Sequence, residues 1–151
     1  VISIKGLPYS CLPAFFNLGI SHNRLRTKAE IVVPSRKVNV RVPDLMVYSE
    51  ELAIAMQGAT RSLILLDMPP PLLVVEVVSP NQASRDYRYK RTEYAVRGIA
   101  EYWIVDAIAQ KVTVLEWVEG FYDERVYEGE QAIASALLPI QLTVAQVLQN
   151  C

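Results

Sequence analysis

The sequence holds one histidine, His22, and two cysteines, Cys11 and Cys151. A histidine-based zinc centre needs more than one imidazole, and a Ser–His–Asp relay needs one poised beside a nucleophile. His22 lies in a stretch without helical periodicity and reads as a loop residue, so neither class is expected. Two cysteines near opposite ends make at most one bridge, which is not a disulfide framework. A reducing, cytoplasmic setting is expected instead. No apolar run approaches the roughly 20 residues that span a bilayer. The opening VISIKGLPYS has neither the charged start nor the small-residue cleavage site of a secretory signal. Glycine is sparse and forms no phosphate-cradling loop. Internal repeats and low-complexity tracts are missing too.

What remains is a chain of 151 residues, 52% apolar and 21% charged, which suits one ordinary globular domain with a core of its own. It is read as a single domain over 1–151; its N-terminal part, with no initiating Met, reads as incomplete. The net charge of -1 hides a polarity. Residues 1–43 carry a balance of +6 and residues 98–151 a balance of -6. A basic face of that kind suits a polyanionic partner; solvated surface at both ends is the plainer alternative.

Residues 1–27 are punctuated by Pro8, Pro13 and Gly19 and hold no period. AEIVV (29–33) and KVNVRV (37–42) read as strands joined by a Pro-Ser-Arg turn, and PDLMVYS (43–49) continues extended. EELAIAMQG predicts a short helix ending at Gly58. LLVVEVV (72–78), between the triple proline 69–71 and Ser79-Pro80, has the unbroken β-branched character of a strand covered on both faces. Residues 82–97 predict a helix closed by Gly98. EYWIVD (101–106) and KVTVLEWV (111–118) predict a hairpin, GFYDERVYEG a further strand and AIASALLP a short one. Thr143 is placed to cap a last helix, VAQVLQN. The expected class is α/β or α+β, a mixed sheet flanked by helices.

Two acids stand where hydrocarbon is expected. Glu76 interrupts LLVVEVV, and an ionised carboxylate withdrawn from water is costly unless paired or metal-bound. Asp44 lies on the parity of Val38, Val40 and Val42, so an unbroken strand aims it inward, although Pro43 can bend that strand. Two such acids are natural oxygen ligands for a hard divalent cation. On the predicted helix, Tyr87, Lys90 and Tyr94 form one stripe, and Asp86 lies one turn before Lys90. The tyrosines are read as core-facing, as is Trp103. Each of these features alone has an ordinary reading: Asp86–Lys90 as a surface pair, Glu76 as an edge residue, Asp44 as a turn residue. Their order along the chain raises their weight.

That order resembles the PD-(D/E)XK nuclease superfamily. It is most similar to a bacterial family known as putative restriction endonucleases, whose recurring text is like RVPDLMV (41–47), LLVVEVVSP (72–80), Asp86 with Lys90, then Gly98 and EYWIVD. The resemblance covers roughly 37–118. It departs in two places: the superfamily expects Lys two positions after the acid, where this chain has Val78 and Lys90 reaches in from the helix instead, and the opening helices and additional acid ahead of a Gly that family members often carry do not map onto residues 1–30. The resemblance implies a restriction-endonuclease-like core and metal-dependent hydrolysis of DNA. Asp44 and Glu76 would bind Mg²⁺ or Mn²⁺ with the carbonyl of Val77, and Lys90 would complete the catalytic set. Asp86 would hold Lys90 from behind, and Arg85, Arg88 and Arg91 are candidates for gripping phosphates. A homodimer is expected by analogy, and no membrane association. Two alternatives stay open: a nuclease-fold domain that binds nucleic acid without cutting, and an assembly domain in which Glu76 and Lys90 form a buried ion pair.

Overall fold

The computed structural model describes residue 14, residues 19–37 and residues 39–149. Cys11, Cys151 and Val38 lie outside the described residues. Nine strands form two sheets among the described residues. The larger has six strands in the order β1 (Leu25–Arg26), β4 (Leu45–Val47), β6 (Leu73–Val77), β7 (Glu101–Asp106), β8 (Lys111–Val118) and β9 (Phe121–Glu128). The smaller has three in the order β3 (Val40–Arg41), β2 (Glu30–Val32) and β5 (Leu63–Ile64). Only β6–β7 and β2–β5 run parallel, so both sheets are mixed.

The parallel β6–β7 pair needs a crossover, because two parallel strands cannot be joined by a tight turn. Residues 83–96 supply it as one helical stretch. Its middle is a π-helical segment, Arg85–Lys90, continued by α2 (Arg91–Val96). Gly98 ends it at φ 71°, a left-handed conformation that favours glycine. The other helices are short. α1 (Glu50–Ala55) starts where Ser49 Oγ accepts from the Leu52 N–H, and α3 (Val144–Leu148) starts at a Thr143–Gln146 capping box.

Both faces of the large sheet are covered at its centre, which is why β6 carries almost no polar residue, while β9 is largely exposed. One face packs Leu45, Val47, Val75, Trp103 and Val105 against Val144 and Val147 of α3. The other packs Met46, Val74, Tyr102 and Ile104 against Tyr94 of α2 and against Ile31 and Ile64 of the small sheet.

Most expected elements form, with four differences. KVNVRV shrinks to Val40–Arg41, and Val42 is exposed, because Pro43 ends the ladder and the chain passes from the small sheet to the large one. The predicted helix over 82–97 widens into its π segment. AIASALLP contributes only an isolated bridge between Ala132 and Thr143; Ser135 Oγ accepts from the N–H groups of Leu137 and Leu138 and turns the chain. Two short strands, β1 and β5, carry too few residues to show a period and were not anticipated.

Candidate active site

Glu76 is next to last in β6 and shares its face with Val74 and Val78. It is 2% exposed, so its carboxylate is denied water and must be met by protein. Lys90 Nζ lies 2.9 Å from Oε2, and the Tyr94 hydroxyl donates to Oε1 at 2.6 Å. Burial pushes the Glu76 carboxyl up to about 7; Lys90 works against that rise and the neighbouring charge of Asp44 adds to it.

Asp44 arrives from the other side. The antiparallel pairing of β4 with β6 sets Leu45 opposite Val75, so the next position out sets Asp44 beside Glu76. Its inward aim comes from the parity of Met46 and Tyr48, both buried, and not from Val40 and Val42, of which Val42 is exposed. The expected parity therefore belonged to the wrong strand, although the residue does turn inward. Asp44 Oδ2 accepts from the Val77 N–H at 2.7 Å, which fixes the carboxylate at the end of β6. Burial raises the pKa of Asp44, opposed by that N–H and by the charge of Lys90.

Lys90 comes from the crossover helix, and so does Asp86, whose Oδ1 lies 2.8 Å from Nζ. Asp86 is buried, and its backbone carbonyl accepts from the Tyr102 hydroxyl at 2.9 Å. Burial opposes a charge on Lys90, but Glu76 and Asp86 outweigh it, and its pKa is raised. Side chains four apart share one face of a helix, so Asp86, Lys90 and Tyr94 all point at the end of β6.

A second ion pair borders the cluster. Arg41 grips Glu93 with two bonds, Nε to Oε2 at 2.7 Å and Nη2 to Oε1 at 2.9 Å. Arg41 is close enough for the charge of Glu76 to stabilise its own. Nothing in the local pattern signals this pair, because its members are 52 positions apart. Tyr94 was legible as core-facing, but its hydroxyl contact with Glu76 was not.

The other expected residues divide. Tyr87 is half-buried and donates to Asp106 Oδ2, and Trp103 is fully buried. Arg85 and Arg88 lie on the solvent side of the crossover helix. Arg91 turns onto β9, bound to Glu124 at 2.8 Å and to the Tyr122 carbonyl at 3.0 Å. His22 is exposed in a short 3₁₀ turn.

Three acids around one ammonium leave an excess of negative charge wherever all are ionised. No group of three or more His, Cys, Asp or Glu among the described residues forms a metal cage of side chains alone. Two carboxylates and the Val77 carbonyl are nevertheless hard oxygen donors. Mg²⁺ commonly binds through one or two carboxylates, completing its shell with water and substrate phosphate. The donor set therefore fits such an ion.

The acid pair at the end of neighbouring strands and the lysine from the crossover helix are thus brought together on one face of a mixed sheet. The chain belongs to the Uma2 family, described as "Putative restriction endonuclease", whose model matches residues 16–146. Among solved structures, the chain is similar to "a putative nuclease belonging to DUF820" from Anabaena variabilis ATCC 29413. The TM-score is 0.71 at 14% identity, over 98% of this chain and 79% of that one. At that identity the likeness establishes the fold alone. Among curated proteins, none matches the chain.

Proposed function

We propose that the protein is a metal-dependent endonuclease that hydrolyses phosphodiester bonds in DNA, with Asp44, Glu76 and Lys90 as its catalytic set. One observation carries this reading: the Lys90 ammonium lies 2.9 Å from Glu76 and 2.8 Å from Asp86, at the strand end where Asp44 also turns inward. Asp44 and Glu76, with the Val77 carbonyl, would hold Mg²⁺ or Mn²⁺. Such an ion supplies Lewis acidity toward the phosphate and acidifies water.

The chain's own groups do the rest. Lys90 offsets the negative charge that grows on the phosphate oxygens as the attacking oxygen approaches. Asp86 holds the ammonium in place from the far side. The Tyr94 hydroxyl fixes one oxygen of Glu76 and leaves the other facing Lys90. The Val77 N–H does the same for Asp44. Pre-set groups of this kind need little reorganisation during the reaction.

Supercoiled plasmid incubated with the protein is expected to be cut in Mg²⁺ and spared with chelator. Glu76→Ala is expected to fold and to leave the plasmid intact. Cleavage by that variant, in a preparation free of contaminating nuclease, would remove Glu76 from the mechanism. A second reading rests on the same contacts: Lys90 already satisfies Glu76 and Asp86, as it would in a nuclease-fold domain that no longer cuts. That reading requires no thermal shift with Mn²⁺, whereas specific binding raises the melting temperature.

A further inference from the structure

The crossover helix presents a second line of side chains beside the first. Four-residue steps carry Asp86, Lys90 and Tyr94 inward, and the same steps carry Arg85, Tyr89 and Glu93 along an open cleft of about 360 Å³. The opposite wall comes from the turn between β2 and β3, with Lys37 exposed, and from Arg41. Glu93 is the one acid on this lining and is neutralised by Arg41, so the cleft is cationic. Arg85 keeps a light tie, Nη1 to Gln82 Oε1 at 3.1 Å.

Tyr89 is the unusual member. It is 51% exposed although it sits between two polar walls. It also borders a neighbouring cleft of about 240 Å³, beside Arg88 and Thr92. The Arg88 guanidinium lies 5.8 Å from the centre of its ring. An aromatic ring in water on a cationic cleft offers a flat apolar surface among phosphate-binding charges. The cleft lies beside the acid cluster: Arg41 and Glu93 on its wall form the ion pair that borders the cluster, and Asp86, Lys90 and Tyr94 come from the same helical stretch as Arg85, Tyr89 and Glu93.

We propose that this cleft binds an unpaired stretch of DNA next to the scissile phosphate, with a base stacked on Tyr89 and phosphates held by Lys37 and Arg85. The proposal rests on the nuclease reading for the position of the cut, and it names the substrate as single-stranded or locally opened DNA. Bases in an intact duplex are stacked on each other and offer no free face to a side chain, whereas an unpaired base does. Arg88, beside the ring, adds a cation to the same platform.

The test is fluorescence anisotropy of a short labelled oligodeoxynucleotide, single-stranded or annealed to its complement, titrated with the full chain in chelator. Binding is thereby separated from cutting. The single strand is expected to bind more tightly than the duplex. Tyr89→Ala should weaken single-strand binding by about 5- to 150-fold, the range found for loss of one base–aromatic stack. Tyr89→Phe should keep it. Lys37→Ala with Arg85→Ala should flatten the slope of log affinity against log salt by about 1.4, or roughly 0.7 per phosphate contact. Arg125→Ala, on the exposed edge strand β9, should change neither affinity nor slope.

Equal binding of both forms, wild-type affinity in Tyr89→Ala, or no binding of either form would overturn the proposal. The nuclease reading fails separately. Single-strand binding that depends on Tyr89, with no cleavage in Mg²⁺, sinks that reading and leaves the cleft standing. Metal-dependent cleavage with binding indifferent to Tyr89 does the reverse.

Discussion

Glu76 and Glu101 are both buried acids on the two parallel central strands, yet they meet different surroundings. Glu76 lies near the C-terminal end of β6 on the face of Tyr94 and Tyr102, where Lys90 and Asp44 converge on it. Glu101 opens β7 on the face of Trp103, whose indole N–H donates to Oε1. Its other company is the Ser135 hydroxyl, the Ala136 backbone N–H and the like charge of Glu116. Burial alone therefore identifies a costly carboxylate and not a site. A second acid and a cation at the strand end where the crossover begins are what distinguish Glu76, and that end is where ligands gather in open sheets of this kind.

The difference can be broken most sharply on the side of Glu76. Lys90→Met is expected to cut plasmid cleavage by about 10²- to 10³-fold, the usual cost of one charge-stabilising donor. Glu101→Gln should leave cleavage unchanged. Equal losses in the two variants would mean that the acids do not differ in kind. Next in size is the effect of metal on stability. Mn²⁺ at about a hundred times its dissociation constant should stabilise the wild type by roughly 2.7 kcal/mol, read as a rise in melting temperature. Asp44→Asn should forfeit that rise.

On the side of Glu101 the expected effects concern folding. Trp103→Phe removes the indole N–H from a buried acid and is expected to cost about 1–3 kcal/mol in urea unfolding. The smallest effect is a slope with pH. Burial raises the Glu101 pKa above its ordinary 4.5, so the folded state holds that proton more tightly than the unfolded chain does. Stability from this group is complete below pH 4.5 and is lost as pH climbs through the raised value. Glu101→Gln should flatten that decline in urea melts run across the acidic range. An unchanged slope would mean that Glu101 titrates alike in both states.

How much of this was legible beforehand follows from the range of each interaction. LLVVEVV announced β6 because a strand covered on both faces carries its signal in its own residues. The EYWIVD–KVTVLEWV hairpin did the same. Lys90 and Tyr94 could be placed on one face because helical spacing is local. Asp44 turned inward for a reason the sequence concealed: the alternation before Pro43 belongs to the small sheet, and the alternation that aims Asp44 belongs to β4. The π segment has no compositional marker, whereas the one-turn spacing of Asp86 and Lys90 is local and was legible with the rest of the helix. Arg41–Glu93 and the cleft beside Tyr89 depend on segments far apart in sequence, and composition is blind to both.

Titration of Mn²⁺ followed by its paramagnetic resonance signal, on the wild type, Glu76→Gln and Glu101→Gln, compares the two acids most directly. The wild type and Glu101→Gln are expected to bind an ion with equal affinity, and Glu76→Gln is expected to lose that binding while remaining folded. Undiminished binding in Glu76→Gln, or loss of binding in Glu101→Gln, would contradict the assignment of the metal to Glu76 and Asp44.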